Sequence, residues 1–121
     1  MNTDIRDYTI CGLVDPETRR IMFVFMTVGA PTQRVIHHNA HPTEEWEEAT
    51  GLGGTPKRDW IQSLADRGLE ADWVVLEKVR ADAVGARAAK QRHIAEQAAR
   101  NPSLTNTQDN PNRGGRTRVR P

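Results

Sequence analysis

The sequence predicts an α+β fold, a small three-stranded antiparallel sheet flanked by helices, and three observations lead there. Two β-forming stretches lie on either side of the turn-rich "DPETRR", two later segments carry apolar residues at helical spacing, and a third β-forming run leads into an alanine-rich stretch. With 121 residues, 36% of them hydrophobic and 27% charged, the chain holds material for one compact domain.

The first strand is "DYTICGLV", rich in β-formers and ended by Asp15, Pro16 and Glu17, whose side chains and fixed φ favour a turn. The second strand follows in "IMFVFMT". Its six apolar residues from Ile21 to Met26 do not alternate with polar ones, as a strand covered on both faces allows, and this places it at the sheet centre. Pro31, the apolar Val35 and Ile36, and Pro42 outline a helix over about 31–40. "TEEWEEATGLGG" reads as a short acidic helical turn and a glycine loop. In "TPKRDWIQSLADRGLEADW", Thr55 is a natural N-cap with Pro56 in the first turn. Trp60, Ile61 and Leu64 form a stripe there, and Gly68 is a helix stop. "DWVVLEKV" is the third strand, and "RADAVGARAAKQRHIAEQAAR" a helix of high propensity. Residues 1–106 form the expected domain, and 107–121 an Arg/Gly-rich basic tail with little to bury, expected to be disordered.

Composition narrows the function classes. No run approaches the roughly 18 apolar residues of a spanning helix. The opening "MNTDIRDYTI" lacks the basic start and apolar block of a secretory signal, and Cys11 is a lone cysteine. The expectation is a cytoplasmic protein with no membrane partner. Residues 1–99 carry 12 Lys+Arg against 15 Asp+Glu, a charge of −3, while residues 100–121 carry five Arg against one Asp, a charge of +4. Bulk charge announces no polyanion partner, so nucleic-acid binding requires a local patch or the tail.

The segments "ICGLVDPET", "IMFVFMT", "RVIHH", "RDWIQSLADRGLEADWVVLEKV", "AKQRHI" and "LTNTQD" together, in this order and at these short spacings, resemble the GIY-YIG nuclease domain from about Tyr8 to Asp109. The resemblance implies a GIY-YIG nuclease-like fold and a Mg²⁺-dependent phosphodiester endonuclease site whose catalytic positions here are Cys11, Phe23, Arg34 and His38. The family's first-strand tyrosine falls on Cys11 and its second-strand tyrosine on Phe23. The glycine that leaves room for phosphate and metal falls on Phe25, and the metal-binding glutamate on Lys90. Arg34, the family's phosphate-contacting arginine, is retained, as are His38 and Asn106.

Metal-assisted hydrolysis needs a base, a cation to stabilise developing charge, and donors that hold the phosphate, and only the donors survive these replacements. A lysine cannot ligate Mg²⁺, which takes oxygen donors. The expectation is a catalytically degenerate endonuclease-like protein with no cofactor. It would grip DNA or RNA through Arg34, Lys90, Asn106 and the tail residues Arg113, Arg116, Arg118 and Arg120. An active endonuclease is the alternative, with His38 as base and Glu77 or Asp82 recovering Mg²⁺. A third class is an inhibitor or regulator that meets a protein partner through Glu44, Glu45, Trp46, Glu47 and Glu48. "HHNAH" suggests a zinc site only weakly, for it has no cysteine partner and Pro42 disrupts the next turn. Cys11 reads as an inert core thiol.

Overall fold

The computed structural model describes residues 4–40, 56–107 and 109–112. Among them the chain is α+β, with strands β1 (Arg6–Val14), β2 (Ile21–Val28) and β3 (Asp72–Ala81) and helices α1 (Thr32–Ala40), α2 (Pro56–Asp66) and α3 (Ala83–Arg100). The sheet is antiparallel in the order β2-β1-β3. The acidic stretch 43–48, the N-cap expected at Thr55 and the arginines of the tail lie outside the described residues.

The hairpin between β1 and β2 closes where the sequence places it. Asp15 Oδ1 accepts the backbone N–H groups of Glu17 at 2.8 Å and Thr18 at 3.0 Å, and Asp15 Oδ2 accepts the indole N–H of Trp60 at 3.0 Å. Burial opposes ionisation of this carboxyl, but the Trp60, Thr18 and Glu17 donors and the charge of Arg67 hold its pKa below the usual value. Gly68 takes a φ of +74°, the left-handed conformation that ends a helix. Asp82 caps α3 by accepting the Gly85 N–H at 2.8 Å.

The two faces of the sheet are both covered. Cys11, Leu13 and Phe25 pack with Val35 of α1 and with Trp60, Ile61 and Leu64 of α2. On the opposite face Ile10 and Val24 pack with Ala89, Ile94 and Ala98 of α3 and with Leu104. Gly12 faces this side in tight quarters, since a β-carbon there would lie 2.8 Å from the Ile21 side chain.

One expectation is overturned. The apolar β2 is an edge strand, and β1 holds the centre. Its composition fits burial on both faces, and its outer edge is closed by the chain returning after α3. Thr105 N–H donates to Met22 O at 2.7 Å, Asn101 Nδ2 donates to Ile21 O at 3.0 Å, and Asn106 both donates to Val24 O at 3.0 Å and accepts from Val24 N–H at 2.8 Å. An edge strand covered in this way needs none of the charges that usually protect one. The packed unit also continues past the boundary expected at residue 106. Asn110 is buried and donates to Leu104 O at 3.1 Å and Asn106 O at 2.8 Å, and Asn112 Nδ2 donates to Ala98 O at 2.9 Å. Polar side chains do this packing by hydrogen bonding, which an apolar count does not register.

Candidate functional site

The antiparallel register sets Cys11 opposite Phe25 and Leu13 opposite Phe23, so all four side chains share the sheet face beneath α1 and α2. On α1, residues three apart lie on one side of the helix, and Val35 and His38 are its two buried residues. Arg34, one position before Val35, stays exposed at the rim. His38, only 2% exposed, meets the edges of two aromatic rings, with centroids 5.4 Å from Phe23 and 4.9 Å from Phe25.

α2 contributes the residue that sequence reasoning missed. Lys57, 4% exposed, brings Nζ within 2.7 Å of His38 Nδ1 and 4.9 Å from the centroid of the Phe23 ring. An ammonium donates only, so Nδ1 accepts and the neutral imidazole carries its proton on Nε2. The signal was present: Lys57, Trp60, Ile61 and Leu64 fall at helical spacing and are the four buried residues of this helix. The expected stripe began at Trp60 and did not include this lysine.

Among the described residues, the charges that act on His38 all work in one direction. Burial, and then the charges of Lys57, Arg34, His37 and Lys90, push the His38 pKa down to about 3. At neutral pH the ring is uncharged and a feeble base, because a group so hard to protonate accepts a proton poorly in a transition state. Lys90 of α3 is half-buried, and its pKa is lowered by burial first, then by Arg87 and Arg34, with Asp109 acting in the opposite direction. Arg34 and Lys90, the two arms of the expected phosphate grip, each lower the pKa of His38. Cys11 is fully buried, and burial raises its thiol pKa to about 11, so at neutral pH it is a protonated core group.

The remaining candidates are engaged elsewhere. The Asn106 amide is fixed to the Val24 backbone. Glu77 accepts from Arg92 at 2.9 Å and lies 2.7 Å from His93 Nε2, while Asp82 caps α3. Arg113, Arg116, Arg118, Arg120, Glu44, Glu45, Trp46, Glu47, Glu48 and His41 lie outside the described residues. None of the described helices is long and apolar enough to cross a membrane. Compared with family models, with curated proteins and with solved structures, the chain matches none of them.

Proposed function

We propose that this chain is a catalytically degenerate GIY-YIG-like domain that binds nucleic acid by its phosphates and does not cut it. One observation carries the reading: among the described residues, Lys57 Nζ stands 2.7 Å from the buried His38 ring, and the charges of Arg34 and Lys90 also act on it. With Arg34 exposed at the rim and Lys90 half-buried, both acting on the His38 ring by their charge, the site suits an anion. Arg34 supplies a planar fork that matches two phosphate oxygens, and Lys90 a point charge. Mg²⁺ does not fit these residues. On the family's alignment its ligand position is the Lys90 ammonium and its water-activating positions are the Cys11 thiol and the Phe23 ring, none of which is an oxygen donor.

Retardation and nicking assays test the reading on the same plasmid and short duplexes, with Mg²⁺ or Mn²⁺ and with a chelator. Retardation that weakens as salt rises, without cutting, is the expected result. Replacing Arg34 and Lys90 together by Ala removes two phosphate contacts and lowers the slope of log affinity against log salt by about 1.8 on duplex DNA. That double variant should lose more affinity than deletion of residues 113–121. Chelator-sensitive nicking by the wild-type protein would overturn the proposal in favour of a working endonuclease. A larger loss on deleting the tail would move the binding away from this site.

A further inference from the structure

A second concave surface lies on the same sheet face, beside the start of α1. It is a groove of about 570 Å³ whose walls include Thr9, Pro31, Trp73, Lys78 and Arg80, with Asp7 at its margin. The β1–β3 register explains the set. Asp7 pairs with Arg80, Thr9 with Lys78, and Leu13 with Trp73, while the ladder shifts between Ile10 and Cys11. These side chains therefore line up along one face, where α1 and α2 leave the sheet uncovered. Trp73 is half-buried, with part of its ring against the core and part forming the groove wall. Lys78 and Arg80 are exposed, and among the described residues Arg80 pairs with the exposed Asp7 at 3.0 Å, a bond that competes weakly with a phosphate.

Charge differs on the two sides of Trp73. A smaller hollow of about 390 Å³ shares Trp73, but its walls include Glu70 and Asp72. Carboxylates thus lie on one side of the indole, and on the other the groove runs along β3 to Lys78 and Arg80, five and seven residues away. A groove with an indole at one end and cations along its length is the combination that stacks an unpaired base and tracks the backbone that follows it. A duplex hides its base faces in its own stack and cannot use the indole. At about 3.3 Å per strand residue the groove runs on the order of 20 Å from Trp73 to Arg80, the reach of a few nucleotides.

We infer that this groove is a stacking subsite for single-stranded nucleic acid, with Trp73 against one base and Lys78 and Arg80 on phosphates farther along the strand. The inference rests on the nucleic-acid reading above and names the strand form that the chain takes. The probe is a short oligo(dT) carrying 5-bromodeoxyuridine, titrated by anisotropy and then irradiated, with adducts located by mass spectrometry. W73F keeps the apolar packing while weakening the stack, and K78E/R80E changes two exposed positions, so both variants should keep the wild-type circular dichroism. An adduct on the Trp73 peptide is expected. K78E/R80E should bind oligo(dT) at least about tenfold more weakly, with a salt slope lower by about 1.4 or more, as removal of two single-strand phosphate contacts requires. W73F should lose affinity for oligo(dT) and keep its affinity for duplex.

Binding that falls in the Arg34 and Lys90 variant but not in W73F or K78E/R80E overturns the subsite and leaves the proposed function standing. No binding of any nucleic acid by the wild-type protein removes both. Retention of an acidic peptide with no retention of oligo(dT) also overturns the inference, and assigns the cations to a protein partner.

Discussion

His38 is the residue whose environment has the clearest consequence in solution. Its pKa is about 3 in the folded chain against an ordinary 6.5, so the unfolded state binds a proton through an interval in which the folded state does not. Stability from this group is therefore complete above pH 6.5 and declines as pH falls towards 3, with a slope of up to about 1.4 kcal/mol per pH unit. Urea melts across that interval should show the slope in the wild type and a flatter profile in His38→Gln, measured against the remaining carboxylate titrations. Cys11 gives a second expectation at the same scale. A thiol with no exposed surface and a pKa raised to about 11 should resist iodoacetamide at neutral pH until the chain unfolds. Rapid alkylation of the native protein would show that this face of the sheet opens. Arg19 supplies the third. It sits at φ +62° in the β1–β2 turn, a left-handed conformation that costs a residue with a β-carbon about 1 kcal/mol, and its exposed link to Asp72 returns little. Arg19→Gly should be neutral or slightly stabilising in the same melts.

At the scale of elements, the return of the chain onto β2 explains both a success and a failure of sequence reasoning. Asn106 satisfies both backbone groups of Val24, and its truncation to Ala leaves a buried N–H and a buried C=O unmade, at a cost of roughly 2–3 kcal/mol. A matching drop in urea midpoint is expected for Asn106→Ala. β-forming composition, turn residues and helix stops made the strands and helices legible, because Asp15, Gly68 and the Trp60, Ile61, Leu64 stripe act locally. Strand order was not legible. An all-apolar strand states only that both faces are covered, and β2 gains its edge cover from Thr105 and Asn106, more than 80 residues later. The burial of Lys57 was hidden for a related reason, since helical period placed it on the core side while its charge argued for solvent. The expected pairing of Arg34 with Lys90 came only from the resemblance, because the two lie on helices that cover opposite faces of the sheet and nothing in their spacing links them.

For the whole molecule, the covered β2 edge fixes when the fold can be completed. The two hydrogen bonds between Val24 and Asn106 join positions 82 residues apart, with all three described helices and β3 in between. Loop closure over such a distance comes late, after local helices and hairpins have formed. During synthesis a nascent chain arrested before residue 101 would hold the hairpin with its most hydrophobic strand open along one side, a template for pairing with a neighbour. Ribosome-bound intermediates of that length should engage chaperones and yield to protease, and release of only a few more residues from the exit tunnel should end both.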